Sequence, residues 1–293
     1  MNDFGLDYLK VPVLSASVAY ASSLLFYPVE VVATVVKSHI RHMPVKQAVR
    51  DIYSERGPIS FYKGISTVFY EIFPPSVVYF FMYDTLNFEM SKYFRKNDWG
   101  HKWVIPVVTS FVAEASNLAL LVPVNTIQTR IKTGQAKYQY KGTFHGLKTI
   151  SQSEGLLRLY RASHLLLLYS MSFTIIQFSL YEWSKKGIVD YTGNKHFGLK
   201  ESLVASIVST TVASITTNPI DTLVTRYQIT DFTEKANQRL TAAKLLLRDF
   251  KRFGYSGINR GMLVKLCLDN YYSAIYLPAY EFFRQRYHIE LEL

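Results

Sequence analysis

The chain has 293 residues, a single cysteine and a net charge of +11, from 33 Lys and Arg against 22 Asp and Glu. Hydrophobic residues make up 49% and aromatic residues 15%, which excludes a disordered chain, and Cys267 alone can form neither an internal disulfide nor a zinc cluster. The basic excess leaves nucleic acid, anionic lipid or an anionic solute as partners, and its distribution along the chain decides among them.

In chain order the sequence predicts six membrane-spanning helices. Residues 11–29, 162–181 and 202–220 are uncharged runs of 19, 20 and 19 residues, each long enough to cross a bilayer as a helix. Three weaker spans alternate with them, around 66–94, 102–130 and 262–287, interrupted by Glu71, by Glu114, and by Lys265 and Asp269. The mean hydropathy is only +0.05. That value fits helices that turn one side to lipid and the other to an aqueous cavity.

Charge separates along the same pattern. Segments 37–63, 130–161 and 226–260 hold 21 of the 33 basic residues and only six of the 22 acidic ones. With six spans, all three fall on one face. The positive-inside rule makes that face the cytoplasm-equivalent side and puts both termini opposite. The basic segments alternate with apolar spans and contain no finger, helix-turn-helix or RNP pattern, which argues against nucleic acid. The first ten residues contain two Asp and no Arg and do not read as a cleaved transit peptide.

The chain also repeats itself. Pro28, Pro123 and Pro219 are spaced by 95 and 96 residues, and each closes an odd-numbered span. Gly57, Gly155 and Gly254 keep spacings of 98 and 99, as do Tyr83, Tyr181 and Tyr280. Three registers with nearly one period imply a triplicated unit, with repeats at 1–98, 99–197 and 198–293.

These residues resemble the mitochondrial carrier family. A Pro-x-acid motif ends each odd helix, an aromatic-basic-Gly motif opens each even helix, and an aromatic-acid-x-x-basic motif lies near its far end. The resemblance covers the whole chain. It implies an all-α membrane protein of the mitochondrial inner membrane: six transmembrane helices in three repeats with threefold pseudosymmetry, short surface helices, and basic segments facing the matrix.

In that family a basic residue five positions after each proline completes three ion pairs that close the matrix side. Here the acid positions hold Glu30, Asn125 and Asp221, and the basic positions hold Ala33, Gln128 and Val224. None of the three family pairs can form, which leaves the motifs as helix kinks and the gate degenerate. Asn125 and Gln128 could supply a hydrogen-bonded substitute. The opposite gate keeps Asp84, Glu182 and Glu281 with Lys185 and Arg284, while Asn87 replaces a third base and Tyr83, Tyr181 and Tyr280 stand as braces. The expected resting state is therefore closed toward the intermembrane space by Asp84–Lys185 and Glu182–Arg284. Its matrix side would be held by packing or by a neighbouring protein.

The resemblance places solute contacts at Glu71, at Tyr169 with Ser170, and around Leu268 and Asp269, with Lys265 one turn away. The bland alternative is a Lys265–Asp269 pair within one helix and a solvated Glu71. Cardiolipin is the expected lipid at the even-helix starts, on Lys63 and Gly64, Arg161 and Ala162, and Arg260 and Gly261. Gly57, Gly155 and Gly254 shape the backbone before them. His39 and His42 read as loop residues, so no metal is expected, and no P-loop, Rossmann or nucleophile-elbow motif marks an enzyme. With one gate degenerate, the first expectation is an accessory subunit of a larger inner-membrane assembly, with protein partners there. The alternative is an active carrier of a small cationic or zwitterionic metabolite, since Glu71 and Asp269 would repel phosphates.

Overall fold

The computed structural model describes residues 4–39, 43–96, 104–134, 140–192, 199–230 and 241–286. Their elements are helical throughout: α1 (Phe4–Ser38), α2 (Val45–Arg56), α3 (Thr67–Lys96), α4 (Val104–Lys132), α5 (Thr143–Ser153), α6 (Ser163–Thr192), α7 (Leu199–Ile229), α8 (Ala242–Ile258) and α9 (Met262–Arg286). Short 3-10 segments follow α2 and α5.

Among the described residues, four spans are long and apolar enough to cross a membrane on their own: Ala16–Ser38, Val108–Lys132, Leu156–Ser184 and Lys200–Ile229. Helix α3 qualifies together with the segment Val45–Tyr62 before it. Helix α9 has 25 residues, roughly 37 Å at 1.5 Å per residue, which is enough to span. Its Lys265, Asp269, Glu281 and Arg284 lower its hydropathy, and it joins the bundle by packing on α1 and α7. The remaining neighbours, α1 on α3, α3 on α4, α4 on α6 and α6 on α7, close a ring of six. Across that ring α1, α4 and α7 also touch one another.

Each of these three helices contains its repeat's proline, which removes one backbone hydrogen bond and permits a bend. Close approach also needs small side chains, and no glycine lies in the apolar part of α1 or α7. Ala16, Ser206 and Ser209 are buried in their place.

The short helices repeat one design. α2 buries Ala48 and Ile52, α5 buries Gly146 and Ile150, and α8 buries Leu245 and Asp249, an i, i+4 pair in each case. The opposite faces leave Tyr53, Phe144 and Phe250 exposed among basic residues, as suits helices lying in a membrane interface. Gly57 and Gly155 follow the ends of α2 and α5 at φ of 68° and 89°, and Gly254 kinks α8 at φ of 62°, a region that side-chain-bearing residues avoid. Apolar clusters gather at this end: Tyr27, Val31 and Val35 with Ile52; Ile127 and Ile131 with Ile150; and Leu223, Val224 and Tyr227 with Leu245. Among the described residues, the larger buried apolar clusters thus lie at the end carrying the short helices.

Candidate functional site

All six long helices line a cavity of about 490 Å³. Its floor, toward the short helices, is a ring of three polar joints. Lys132 of α4 donates to Glu30 of α1 at 2.9 Å, Lys37 of α1 to Asp221 of α7 at 2.5 Å, and Gln228 of α7 to Asn125 of α4 at 2.8 Å. Each joint links the position two after one proline to the position nine after another, so the ring is threefold in geometry. The charged members are 7–18% exposed.

This ring corrects the sequence expectation of a closed end held only by packing or by a neighbour. The expected basic positions are indeed occupied otherwise: Ala33 packs with Val264 and Leu268, Val224 lies in an apolar cluster, and Gln128 turns to the cavity. The bases sit four residues further on. The signal was available in the sequence, because Lys37, Lys132 and Gln228 keep the 95- and 96-residue spacing of the prolines. Seven residues separate the two ring members on each helix, Glu30 from Lys37, Asn125 from Lys132 and Asp221 from Gln228. That is a rotation of roughly 700°, within about 20° of two full turns, so both face the bundle axis. Glu30 and Asp221 therefore have basic partners on neighbouring helices. Arg130 and Arg226, two residues short of the ring positions, point to the short helices and pair with Glu154 and Asp249.

Above the ring, Glu71 of α3 accepts from Asn125 Nδ2 at 3.1 Å and Gln128 Nε2 at 2.6 Å. It is not simply solvated. On the facing wall Lys265 lies 3.1 Å from Asp269 and 3.9 Å from Asp221, with the rings of Tyr169 and Phe173 centred 5.0 and 5.3 Å from its ammonium. The intrahelical Lys265–Asp269 pair is thus present, and Ser214 also donates to Asp269. Tyr272 of α9 donates to Glu30, and Lys132 stands over the Tyr27 ring at 4.9 Å. Glu71, Tyr169, Lys265 and Asp269 line one cavity, whereas Ser170 donates to Glu114 at 2.9 Å beside α4. Three lysines in the lining meet four carboxylates. Glu71 is the one whose bonded partners, among the described residues, are neutral amides.

At the other end, the side chains of Asp84, Lys185, Tyr280, Glu281 and Arg284 lie outside those described, and so do the pairs expected of them. Tyr181 is buried and its hydroxyl lies 3.0 Å from Ser202 Oγ; Tyr83 stacks on Tyr79; Glu182 is exposed.

At the even-helix starts, the three basic side chains already have partners in the chain. Lys63 pairs with Glu55, Arg161 Nε donates to the Tyr227 hydroxyl, and Arg260 donates to the His39 carbonyl. Burial pulls the Lys63 ammonium and the Arg260 guanidinium below their ordinary pKa. Gly64 is a close approach: a Cβ there would meet Ile131 Cγ2 at 2.9 Å. At Gly57, Gly155 and Gly254 the surroundings are open. Among the described residues no cluster of His, Cys, Asp and Glu is arranged to hold a metal ion.

Comparison with known proteins supplies names for similar chains. Mitoferrin of Dictyostelium discoideum is 25% identical over 97% of this chain and 96% of its own length. The mitochondrial nicotinamide adenine dinucleotide transporter 1 of Saccharomyces cerevisiae is 28% identical over 80% of this chain, which covers 63% of that protein. The peroxisomal membrane protein PMP34 of Mus musculus is 25% identical over 79%. The profile of the mitochondrial carrier protein family matches residues 6–94, 100–192 and 195–290. Three tandem matches that take in nearly the whole chain and all six long helices make this protein a member of the mitochondrial carrier family.

Proposed function

We propose that the protein is a working carrier of the inner mitochondrial membrane, moving a small cationic or zwitterionic metabolite by alternating access. The observation that carries this reading is the intact ring at the floor of the cavity. An alternating-access carrier needs each conformation stabilised by its own closed gate. The accessory-subunit expectation rested on the loss of one gate, and with Lys37, Lys132 and Gln228 in place that motive is gone. The similar chains favour transport as well, one being named a transporter and others substrate carriers. The solute class follows from charge. Each lining lysine is matched by Glu30, Asp221 or Asp269, so Glu71 is left to meet an incoming cation. The basic end would face the matrix and both termini the intermembrane space.

Uptake by liposomes reconstituted with the purified protein tests this. Influx of cationic or zwitterionic amino-group metabolites is expected, with loss in Glu71→Ala and Asp269→Ala. Robust ATP uptake would refute the charge argument. Migration only within a large complex, with no solute transported, would restore the accessory reading.

We also propose that cardiolipin occupies the even-helix starts. With Lys63, Arg161 and Arg260 engaged internally, its phosphates would be met by backbone amides and the positive helix ends. Native mass spectrometry of the gently solubilised protein is expected to retain cardiolipin, and its complete absence would count against this.

A further inference from the structure

We propose that Glu71 is the tie between cavity and ring, so that neutralising its carboxylate opens the closed end. The inference rests on the transport reading above and adds the residue through which occupancy reaches the gate. Glu71 contributes no joint of the ring itself, yet it holds two side chains that serve it. Asn125 donates from Nδ2 to Glu71 and accepts on Oδ1 from Gln228 Nε2 at 2.8 Å, so one amide bridges the carboxylate and the neutral joint. Gln128 donates from Nε2 to Glu71 and accepts on Oε1 from Lys132 Nζ at 2.9 Å, and Lys132 also donates to Glu30. Both carboxylate oxygens are thereby spent on α4, and both amides are aimed by them at ring partners. The path runs α3 to α4 to α7 on one side and α3 to α4 to α1 on the other, continuing through Glu30 to Tyr272 on α9.

A cation arriving at Glu71 competes for the same two oxygens. As it binds, Asn125 and Gln128 lose the acceptor that orients them, and two of the three joints lose a support. Only an interaction that differs between the closed and open states can shift their balance, and this one exists in the closed arrangement. Among the described residues the Lys37–Asp221 joint has no such link to Glu71, and Lys265 of α9 lies 3.9 Å from Asp221.

The test needs no solute. In a Cys267→Ser background, Gln47→Cys on α2 and Lys244→Cys on α8 carry spin labels, both exposed positions outside the ring. The protein is measured in lipid vesicles. The background is expected to give one short distance, and Glu71→Gln a second, longer population raised at least tenfold, with Glu71→Asp remaining near the background. Asn125→Ala is expected to move the same way and decides the matter should Glu71→Gln not insert. A purely structural role would lower the unfolding midpoint without lengthening the distance. Background-like distances in both variants would overturn the proposal. Failure of uptake with opening still present would instead strike the transport reading alone.

Discussion

The joints between α1 and α4 and between α7 and α1 are ionic, while the joint between α4 and α7 is made by two amides. All three occupy equivalent positions in their repeats. The shape of the closure therefore follows from helix spacing and the shared prolines, and charge is an adjustable addition to it. The ionic joints differ from each other too. Asp221 has a second cation, Lys265, at 3.9 Å, whereas among the described residues Glu30 has, beyond Lys132, the Tyr272 hydroxyl. Were this end to open as the proposed transport requires, with α1 parting from α7, Lys265 would be shared between Asp221 and Asp269, so that Asp221 would keep a cation nearby in a low-dielectric wall. The neutral joint leaves no charge behind when it parts.

That difference orders the expected losses. Lys132→Ala strands Glu30 and is expected to cost the closed state about 3–5 kcal/mol, the range for an abandoned buried partner. Lys37→Ala leaves Asp221 with Lys265 and is expected to cost roughly half as much by the same reasoning. In the spin-label measurement, the first substitution should make the open population dominant and the second should leave a mixture. Equal effects would mean that Lys265 gives Asp221 no reserve. Charge reversal of the second pair, Lys37→Asp with Asp221→Lys, is expected to restore closure only in part, because the new ammonium at position 221 would lie beside Lys265.

How much of this was legible in the sequence depended on the range of the interactions. The helices and the repeat were, because an apolar run or a fixed period is written along the chain itself. Glu71 and Asp269 could be singled out for the same reason, as charges breaking apolar spans. The ring's register is ambiguous in sequence: the family pattern points to bases three residues after each acid, where Ala33 and Val224 pack, although a seven-residue spacing faces the axis equally well. The double use of Asn125 and Gln128 was harder to see, since it needs α3 and α4 placed side by side. The partners of Lys63, Arg161 and Arg260 are brought in by tertiary packing, and local pattern carries no trace of the Tyr227 hydroxyl or the His39 carbonyl.

The smallest expected effect comes from charging the neutral joint with Gln228→Lys. The ammonium would donate to Asn125 Oδ1, replacing an amide donor by an ionised one, and charge-assisted bonds are about twice as strong as neutral ones. Against this stands Arg130, whose Nε donates to the Gln228 carbonyl, but its guanidinium is already matched by both oxygens of Glu154. A net gain of about 1 kcal/mol for the closed state is therefore expected, the scale of one intramolecular hydrogen bond. The sign is what sharpens the comparison. If the amide joint is where opening is easiest, Gln228→Lys should lower the exchange rate several-fold at saturating solute, by making the closed end slower to part. A rate equal to or above that of the unmodified protein would show that opening is limited at one of the two ionic joints.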